Sequence, residues 1–474
     1  MKTYFSRNAS TRPLVAVLLA ASITLSACGG GGGSDNSSGP AVTNTAPKRP
    51  AGSASTPAAA SSPTGASTPS AATPASGTST ANNDTNQTGN NTNTNTNDPP
   101  PVVVNSVPIT IDNTLDPTIV NTPYVSVTLC VPGAQSTSQC LTLDHMLLDT
   151  GSVGVRVMSS ALGAALAGKL PVQTGASNDS TGKAPLAQCA LFASGYTWGP
   201  IRRADVKIGG ETASDIPIQL IGDSGVTLIP SDCSRRGVHS MNTVQDLGAN
   251  GIVGIGHLAR DFPDAAQATL AATYYYCQTS WSCAAASVPL ASQTANPVSA
   301  FATDNNGTII RLPALPATGR ATVTGELLFG IGTRDNNALP ANATRLNVSD
   351  RGLFNTTYGG STMSSVVDSG SNGLFFQDST LPVSAPSNGW YIPATTQNLS
   401  ASMISKTGDV RSTVPFAIAN SSNLFALGYA AHDNLGAPLN SMFMWGLPFF
   451  YGRSVYTVLS DAYAGSQTGP YVAF

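Results

Sequence analysis

From about Val102 onward, short alternating or continuous apolar runs recur between turn signals. They are Val107–Ile111, Tyr124–Cys130, Met146–Leu148, Ala204–Ile208, Ile216–Ile221, Gly251–Ile255, Glu326–Phe329, Ser365–Val367, Leu374–Phe376 and Val455–Leu459. Period-two alternation, or a short apolar run bounded by Gly, Pro, Asn and Ser, predicts strands. Helical patterning is scarce: Ser159–Gly168 is the best candidate and Ala265–Tyr276 a second. The folded region therefore reads as all-β. Upstream the pattern vanishes. Residues 29 to about 101 run from Gly29–Gly33 through Ser, Thr, Ala and Pro to alternating Asn and Thr and Pro99-Pro100-Pro101. Such a stretch buries too little apolar surface to offset its ordering entropy, and predicts a disordered tether. Its r.m.s. span is about 45–50 Å for roughly 70 residues.

The N-terminus reads as an address. Lys2, Arg7 and Arg12 precede an apolar run from Leu14 to Ile23, too short to span a bilayer as a stable helix. Leu25-Ser26-Ala27-Cys28 follows and resembles the lipobox of bacterial lipoproteins. That resemblance implies a signal peptide over 1–27 and a lipidated Cys28 at the head of a 28–101 tether. It also implies a membrane partner reached through that lipid. Gly29 rather than Asp follows Cys28, which favours outer-membrane sorting. The expected location is thus the cell envelope, with a periplasmic or surface-facing domain.

Composition narrows the rest. Charged residues make up 10% of the 474, the formal net charge is −3, and no Lys/Arg run stands out, which argues against a nucleic-acid partner. Apart from Cys28 there are six cysteines: Cys130, Cys140, Cys189, Cys233, Cys277 and Cys283. An even number in an exported chain predicts disulfides, and six allow 15 pairings. Local spacing favours Cys130–Cys140 and Cys277–Cys283, leaving Cys189–Cys233. None forms a CxxC pair, and the four histidines (His145, His239, His257 and His432) are scattered, so no metal site is expected.

Two segments match each other. Leu147-Leu148-Asp149-Thr150-Gly151-Ser152-Val153-Gly154-Val155 aligns with Val366-Val367-Asp368-Ser369-Gly370-Ser371-Asn372-Gly373-Leu374. The core of this pattern arises by chance on the order of 10⁻³ to 10⁻² times per chain, so two copies a lobe's length apart imply an internal duplication. The chemistry accounts for the residue types. A strand delivers each Asp, and the Gly lets the chain turn sharply and come close to its counterpart. The Thr or Ser beside the Asp can hydrogen-bond across the pair, and the following Ser can orient the carboxylate. Two adjacent carboxylates share one proton, so one can act as general base on a water and the other as general acid.

The paired motifs resemble those of the pepsin-like aspartic proteases. Further segments agree in order. Ser194–Gly199 followed by Ala204–Gly210 resembles the flap hairpin and the strand after it. Asn250–Gly256 is similar to the apolar Gly segment that passes the first Asp. Gly325–Gly330 to Asp335 resembles the strand opening the second lobe, and Met444–Phe450 with Val455–Val458 the second apolar Gly segment. The chain also looks like an uncharacterised family of Gram-negative secreted lipoproteins with the same two motifs. The pepsin-like resemblance implies a bilobal acid-protease fold, with an N-terminal lobe over 102–310 and a C-terminal lobe over 311–474. It implies Asp149 and Asp368 as the catalytic pair, with Thr150, Gly151, Ser152, Ser369, Gly370 and Ser371 in support. It also implies a flap that includes Phe192, Gly195 and Tyr196. Two positions depart from the family: Phe192 stands where a flap Tyr is usual, and Arg156 where a supporting Trp is usual.

Gly222-Asp223-Ser224-Gly225 imitates a third Asp motif but lacks the preceding apolar pair, and reads as a turn. Tyr274-Tyr275-Tyr276 and Trp281 read as packing around a disulfide. The expectation is a monomeric endopeptidase acting on peptide or unfolded protein without metal or organic cofactor. The alternative is an inactive lipoprotein of the same fold that binds peptides or an envelope partner.

Overall fold

The computed structural model describes residues 105–237, 239–384 and 389–474. The expected signal peptide, the lipidated Cys28 and the tether lie outside the described residues.

The first half contributes β1 (Ser106–Ile111), β2 (Pro123–Cys130), β3 (Cys140–Asp149), β4 (Val153–Met158), β5 (Leu186–Phe192), β6 (Gly195–Ile208), β7 (Glu211–Ile221), β8 (Gly251–Ile255), β9 (Tyr274–Thr279), β10 (Ser282–Ala285) and β11 (Gly307–Arg311). The second contributes β12 (Val323–Phe329), β13 (Arg345–Asn347), β14 (Phe354–Tyr358), β15 (Ser361–Val367), β16 (Leu374–Phe375), β17 (Gln397–Ile404), β18 (Arg411–Ile418), β19 (Gly436–Ala437), β20 (Phe443–Trp445) and β21 (Ser454–Val458). Short strands β22 (Tyr463–Ala464), β23 (Gln467–Thr468) and β24 (Tyr471–Ala473) end the chain. Among the described residues the α-helices run only four to six residues, so the domain is all-β.

Burial follows the sequence pattern. In β1, Val107, Ile109 and Ile111 are buried while Pro108 and Thr110 are exposed, as alternation requires for a sheet with one wet face. The continuous apolar run of β8 is buried throughout because it lies between β3, which it parallels, and β4, which it opposes. Both helix expectations need correction. Ser159–Gly168 forms two turns, Ser159–Leu162 and Ala164–Ala167, because Gly163 between them takes φ +78° and cannot continue a helix. Ala265–Tyr276 is not helical: a 3₁₀ turn ends at Ala266, and Tyr274–Thr279 is recruited as β9 between β5 and β10. Tertiary pairing overrides a weak local preference there.

One sheet of 15 strands runs in the order β10-β9-β5-β6-β7-β4-β8-β3-β2-β1-β12-β11-β21-β24-β13, and β2 also pairs with β6, closing a ring of strands in the first half. A second sheet of seven runs β18-β17-β14-β15-β20-β16-β19. The expected boundary between 310 and 311 falls inside β11, which pairs with both β12 and β21. The halves therefore share a continuous sheet instead of being joined by a linker. One apolar cluster draws Leu148, Val155 and Val253 from the first half and Val367, Leu374 and Trp445 from the second, so the core reaches under both aspartates.

The disulfides are Cys130–Cys140, Cys189–Cys233 and Cys277–Cys283, the pairing that local spacing favours. Cys189–Cys233 spans 44 residues and ties β5 to the helix Ser231–Arg236. Loop-closure entropy predicts that a Cys189→Ser, Cys233→Ser double variant loses about 4 kcal/mol. Urea unfolding under oxidising conditions measures it, and a loss below about 1 kcal/mol would show that the cross-link does not restrain the unfolded chain.

Candidate active site

The two Asp motifs are built alike. β3 carries Asp149 as its last residue, the chain turns through Thr150-Gly151-Ser152, and β4 returns on the far side of β8. β15 ends one residue before Asp368, the chain turns through Ser369-Gly370-Ser371, and β16 returns on the far side of β20. Each arch thus straddles a central strand that runs parallel to its first leg and antiparallel to its second. The glycines in the passing strands explain the fit. A Cβ at Gly254 would lie 2.8 Å from Ser152 Oγ and from Val153 backbone atoms; a Cβ at Gly446 would overlap the carbonyls of Gly373 and Ser371.

The arches are bolted together by a reciprocal set of hydrogen bonds. The Thr150 amide donates to Ser369 Oγ at 3.0 Å, and the Ser369 amide donates to Thr150 Oγ1 at 2.9 Å. Ser369 Oγ donates in turn to the Leu148 carbonyl at 2.8 Å, and Thr150 Oγ1 to the Val367 carbonyl at 3.3 Å. All four partners are buried, so Ser369→Ala strands the Thr150 amide and the Leu148 carbonyl. Its expected cost is about 2–4 kcal/mol. Chemical denaturation checks this, and a change under about 0.5 kcal/mol would mean the brace is not a structural element.

Each carboxylate is oriented from its own arch. The Gly151 amide donates to Asp149 Oδ1 at 2.8 Å, and the Gly370 amide to Asp368 Oδ1 at 2.9 Å. Ser371 Oγ donates to Asp368 Oδ2 at 2.5 Å. The equivalent Ser152 sits beside Asp149 and favours its charged form, yet neither Ser152 Oγ nor Asp149 Oδ2 has a hydrogen-bond partner among the described residues. The orienting shell is therefore closed around Asp368 and open at Asp149. Gly151 packs against the opposite carboxylate: a Cβ there would lie 2.6 Å from both Cγ and Oδ1 of Asp368.

Both aspartates are wholly buried. Burial pushes the Asp368 carboxyl well above the usual range, and the neighbouring Asp149 charge pushes it further; its hydrogen bonds from Ser371 and Gly370 oppose this. Asp149 is also raised by burial. It is pulled back by the neighbouring Ser152 and Asp368 side chains, by the Gly151 amide and by the charge of Arg156. Of the two, Asp368 is raised further, because the Asp149 charge adds to burial there while Arg156 and the Gly151 amide oppose burial at Asp149.

A pocket opens beside this pair, lined by Thr150, Gly151, Ser152, His257, Asp350 and Arg351 among others. Burial lowers the pKa of His257, and its Nδ1 is 2.7 Å from the Val458 carbonyl. Phe192 and Gly195 pair across the tip of the β5–β6 hairpin. Phe192 is buried in a cluster with Leu147, Met158, Ile221 and Ile252. Tyr196 is buried with Trp198, Cys189 and Cys233, its ring packed against Gly237. Neither ring lines the pocket beside Gly151. Gly222–Gly225 forms a turn, with Asp223 Oδ1 accepting from the Gly225 amide at 2.8 Å. Of the aromatic residues expected around the Cys277–Cys283 disulfide, Tyr275 clusters with both cysteines, Tyr274 and Tyr276 belong to a separate cluster with Leu186 and Phe262, and Trp281 stands 70% exposed at the end of the β9–β10 hairpin.

Sequence reading missed a buried polar network behind the Asp149 arch. Arg156 pairs with Asp261 at 3.1 Å, and neither side chain is exposed. Tyr274 donates to Asp261 Oδ1 at 2.5 Å, Gln188 donates to Oδ2, and Thr294 Oγ1 donates to Gln188 at 2.9 Å. The one advance signal was the charged residue at 156, inside an otherwise apolar strand.

A crystal structure of an aspartic proteinase from Irpex lacteus is similar over 78% of this chain and 96% of its own, at 17% identity and a TM-score of 0.40. Among curated proteins, none matches the sequence. The family model described as "Protein of unknown function (DUF3443)" matches residues 101–474, and the chain belongs to that family.

Proposed function

We propose that the protein is an aspartic-type endopeptidase that hydrolyses peptide bonds in extended or unfolded polypeptide. The observation that carries the reading is the reciprocal Thr150–Ser369 brace, which holds two wholly buried aspartates on facing arches. Asp149, ionised, takes a proton from a water while its oxygen bonds to the scissile carbonyl carbon. Asp368 gives its proton to the carbonyl oxygen, so a neutral tetrahedral diol forms. As the C–N bond breaks, Asp149 returns its proton to the departing nitrogen, and Asp368 recovers one from a diol hydroxyl.

The test incubates the full-length chain with an unfolded protein from about pH 3 to pH 7, beside Asp149→Asn and Asp368→Asn, with cleavage read by mass spectrometry. Cleavage lost in both variants supports the reading. A folded wild type that cuts nothing at any pH sinks it and favours a peptide-binding role. That second reading draws on the burial of Phe192 and Tyr196 in separate clusters, which leaves neither aromatic ring at the pocket.

The membrane attachment belongs to the same proposal. Its support is the Leu25-Ser26-Ala27-Cys28 segment after a short apolar run, which would make Cys28 the lipidated first residue of an outer-membrane protein. An intact-mass measurement of the mature chain decides it: a start at Cys28 with added acyl mass supports the anchor, and an unmodified Cys28 removes it.

A further inference from the structure

We propose that Arg156 is the positioning residue that divides the work between the two aspartates, by keeping the negative charge of the pair on Asp149. The inference deepens the proposed function, since it rests on Asp149 and Asp368 acting as one proton-sharing pair.

The geometry starts in the arch itself. Arg156 lies on β4, the return leg of the Asp149 loop, and its side chain is wholly buried. Its Nη1 donates back to the carbonyls of Val153 at 2.8 Å and Gly154 at 3.4 Å, both in the motif that follows Asp149. Its Nη2 pairs with Asp261 at 3.1 Å, and its guanidinium carbon lies 5.8 Å from the centre of the Phe192 ring. The cation therefore cannot swing away without losing buried partners on β4, on the loop after β8 and at the hairpin tip. Asp261 is itself fixed by Tyr274 on β9 and Gln188 on β5. A guanidinium stays charged when buried, so the first half of the molecule carries a fixed cation, paired with Asp261, on the return leg of its aspartate arch.

The second half has no counterpart. The position equivalent to Arg156 follows Gly373 and Leu374 and is Phe375, whose ring packs against Trp390 at a centroid distance of 5.8 Å. The duplicated arches are thus symmetric in backbone and brace but asymmetric in charge. Asp149 has Arg156 behind it; Asp368 has apolar packing. The groups bearing on Asp149 are Asp368 across the pair, Ser152 and the Gly151 amide from its own turn, and Arg156 from β4. His257, Asp350, Arg351 and Asp261 lie in the wall of the adjoining pocket, where Arg351 pairs with Asp264 at 2.8 Å. Among these, Arg156 is the cation that lies on the Asp149 arch itself and favours ionised Asp149.

The signs are opposite for the two partners of the ion pair, and that makes the assignment testable without substrate. The full-length chain is labelled with ¹³C at the Asp carboxyls, and the resonances of the pair are identified by their absence from Asp149→Asn and Asp368→Asn. Arg156→Met removes the cation, so the lower of the two ionisation steps of the pair moves up by about one pH unit or more. Asp261→Asn keeps the shape but removes the counter-charge, so the same step moves down. A merely structural role predicts no such reversal, and Asp261→Asn keeps the test alive if Arg156→Met does not fold. Arg156→Lys, which keeps the charge, is expected to restore at least half of the Met variant's shift. Steps that stay in place, or that move the same way in both variants, overturn the proposal. Because the readout is a titration and not turnover, a chain that shows these shifts but cuts no peptide refutes the peptidase reading and leaves the role of Arg156 standing.

Discussion

Asp368→Asn is expected to lower peptide cleavage by about 10²–10⁴-fold or more and, at the same time, to raise the melting temperature near neutral pH. The first effect follows from chemistry. An amide cannot hand a proton to the substrate carbonyl, and Asp149 alone cannot serve as acid and base in one step. The second follows from linkage. The folded-state pKa of Asp368 is raised by burial and by the Asp149 charge, while in the unfolded chain an Asp titrates near about 3.9. A carboxyl raised on folding contributes its stability in full below the unfolded value, and loses it as pH rises through the folded value. Above that window the pair opposes folding. Asn has no charge to bury, and its side chain can still accept from the Gly370 amide and from Ser371. The gain in melting temperature should therefore be larger at about pH 7.5 than at about pH 4. Differential scanning calorimetry at both pH values measures it. A gain that is equal at both, or larger in acid, would mean that Asp368 is not held above its ordinary range, and the shared-proton account of the site would fail with it.

What could be read in advance was the chemistry of contiguous residues. The two nine-residue motifs, the small residue beside each Asp and the apolar Gly strands that pass them are all local patterns, and their spacing predicts the strands that carry them. The turn at Gly222–Gly225 was legible for the same reason, since Gly222 and not an apolar pair precedes its Asp-Ser-Gly. What escaped was set by distant partners. Ala265–Tyr276 looks helical in isolation, but Tyr274–Thr279 gains a place between β5 and β10. Arg156 and Asp261 are 105 residues apart, and nothing near Asp261 marks it as a counter-ion. The sharing of β11 between halves escaped too, because a single short apolar strand carries no sign of which neighbours it will have. Local rules find the paired aspartates; the buried partners around them come from the fold.

Gly151→Ala should damage both the packing of the two arches and the chemistry of the proposed site. At Gly151 a Cβ would sit 2.6 Å from Asp368 Cγ and Oδ1 and 3.0 Å from Oδ2. The carboxylate cannot retreat, since the Gly370 amide and Ser371 Oγ hold it at 2.9 and 2.5 Å. The arch cannot retreat either without opening the Thr150–Ser369 brace, whose amide bonds are 3.0 and 2.9 Å long. Overpacking of this kind costs about 1–3 kcal/mol. The larger consequence falls on chemistry. The proton is shared only while the two carboxyls stay in reach, and a displacement near 1 Å at reacting groups costs about 10²-fold in rate. The expected signature is a fall in kcat of at least that size, with KM little changed, because the pocket beyond the arch keeps its walls at His257, Asp350 and Arg351. Kinetics on a defined peptide, paired with urea unfolding, separate the two effects. A variant that loses the stability but keeps the kcat of the wild type would show that closeness of the arches serves the fold and not the reaction. A variant that loses neither would contradict the packing of Gly151 on Asp368, the contact through which the first half of the duplication reaches into the site of the second.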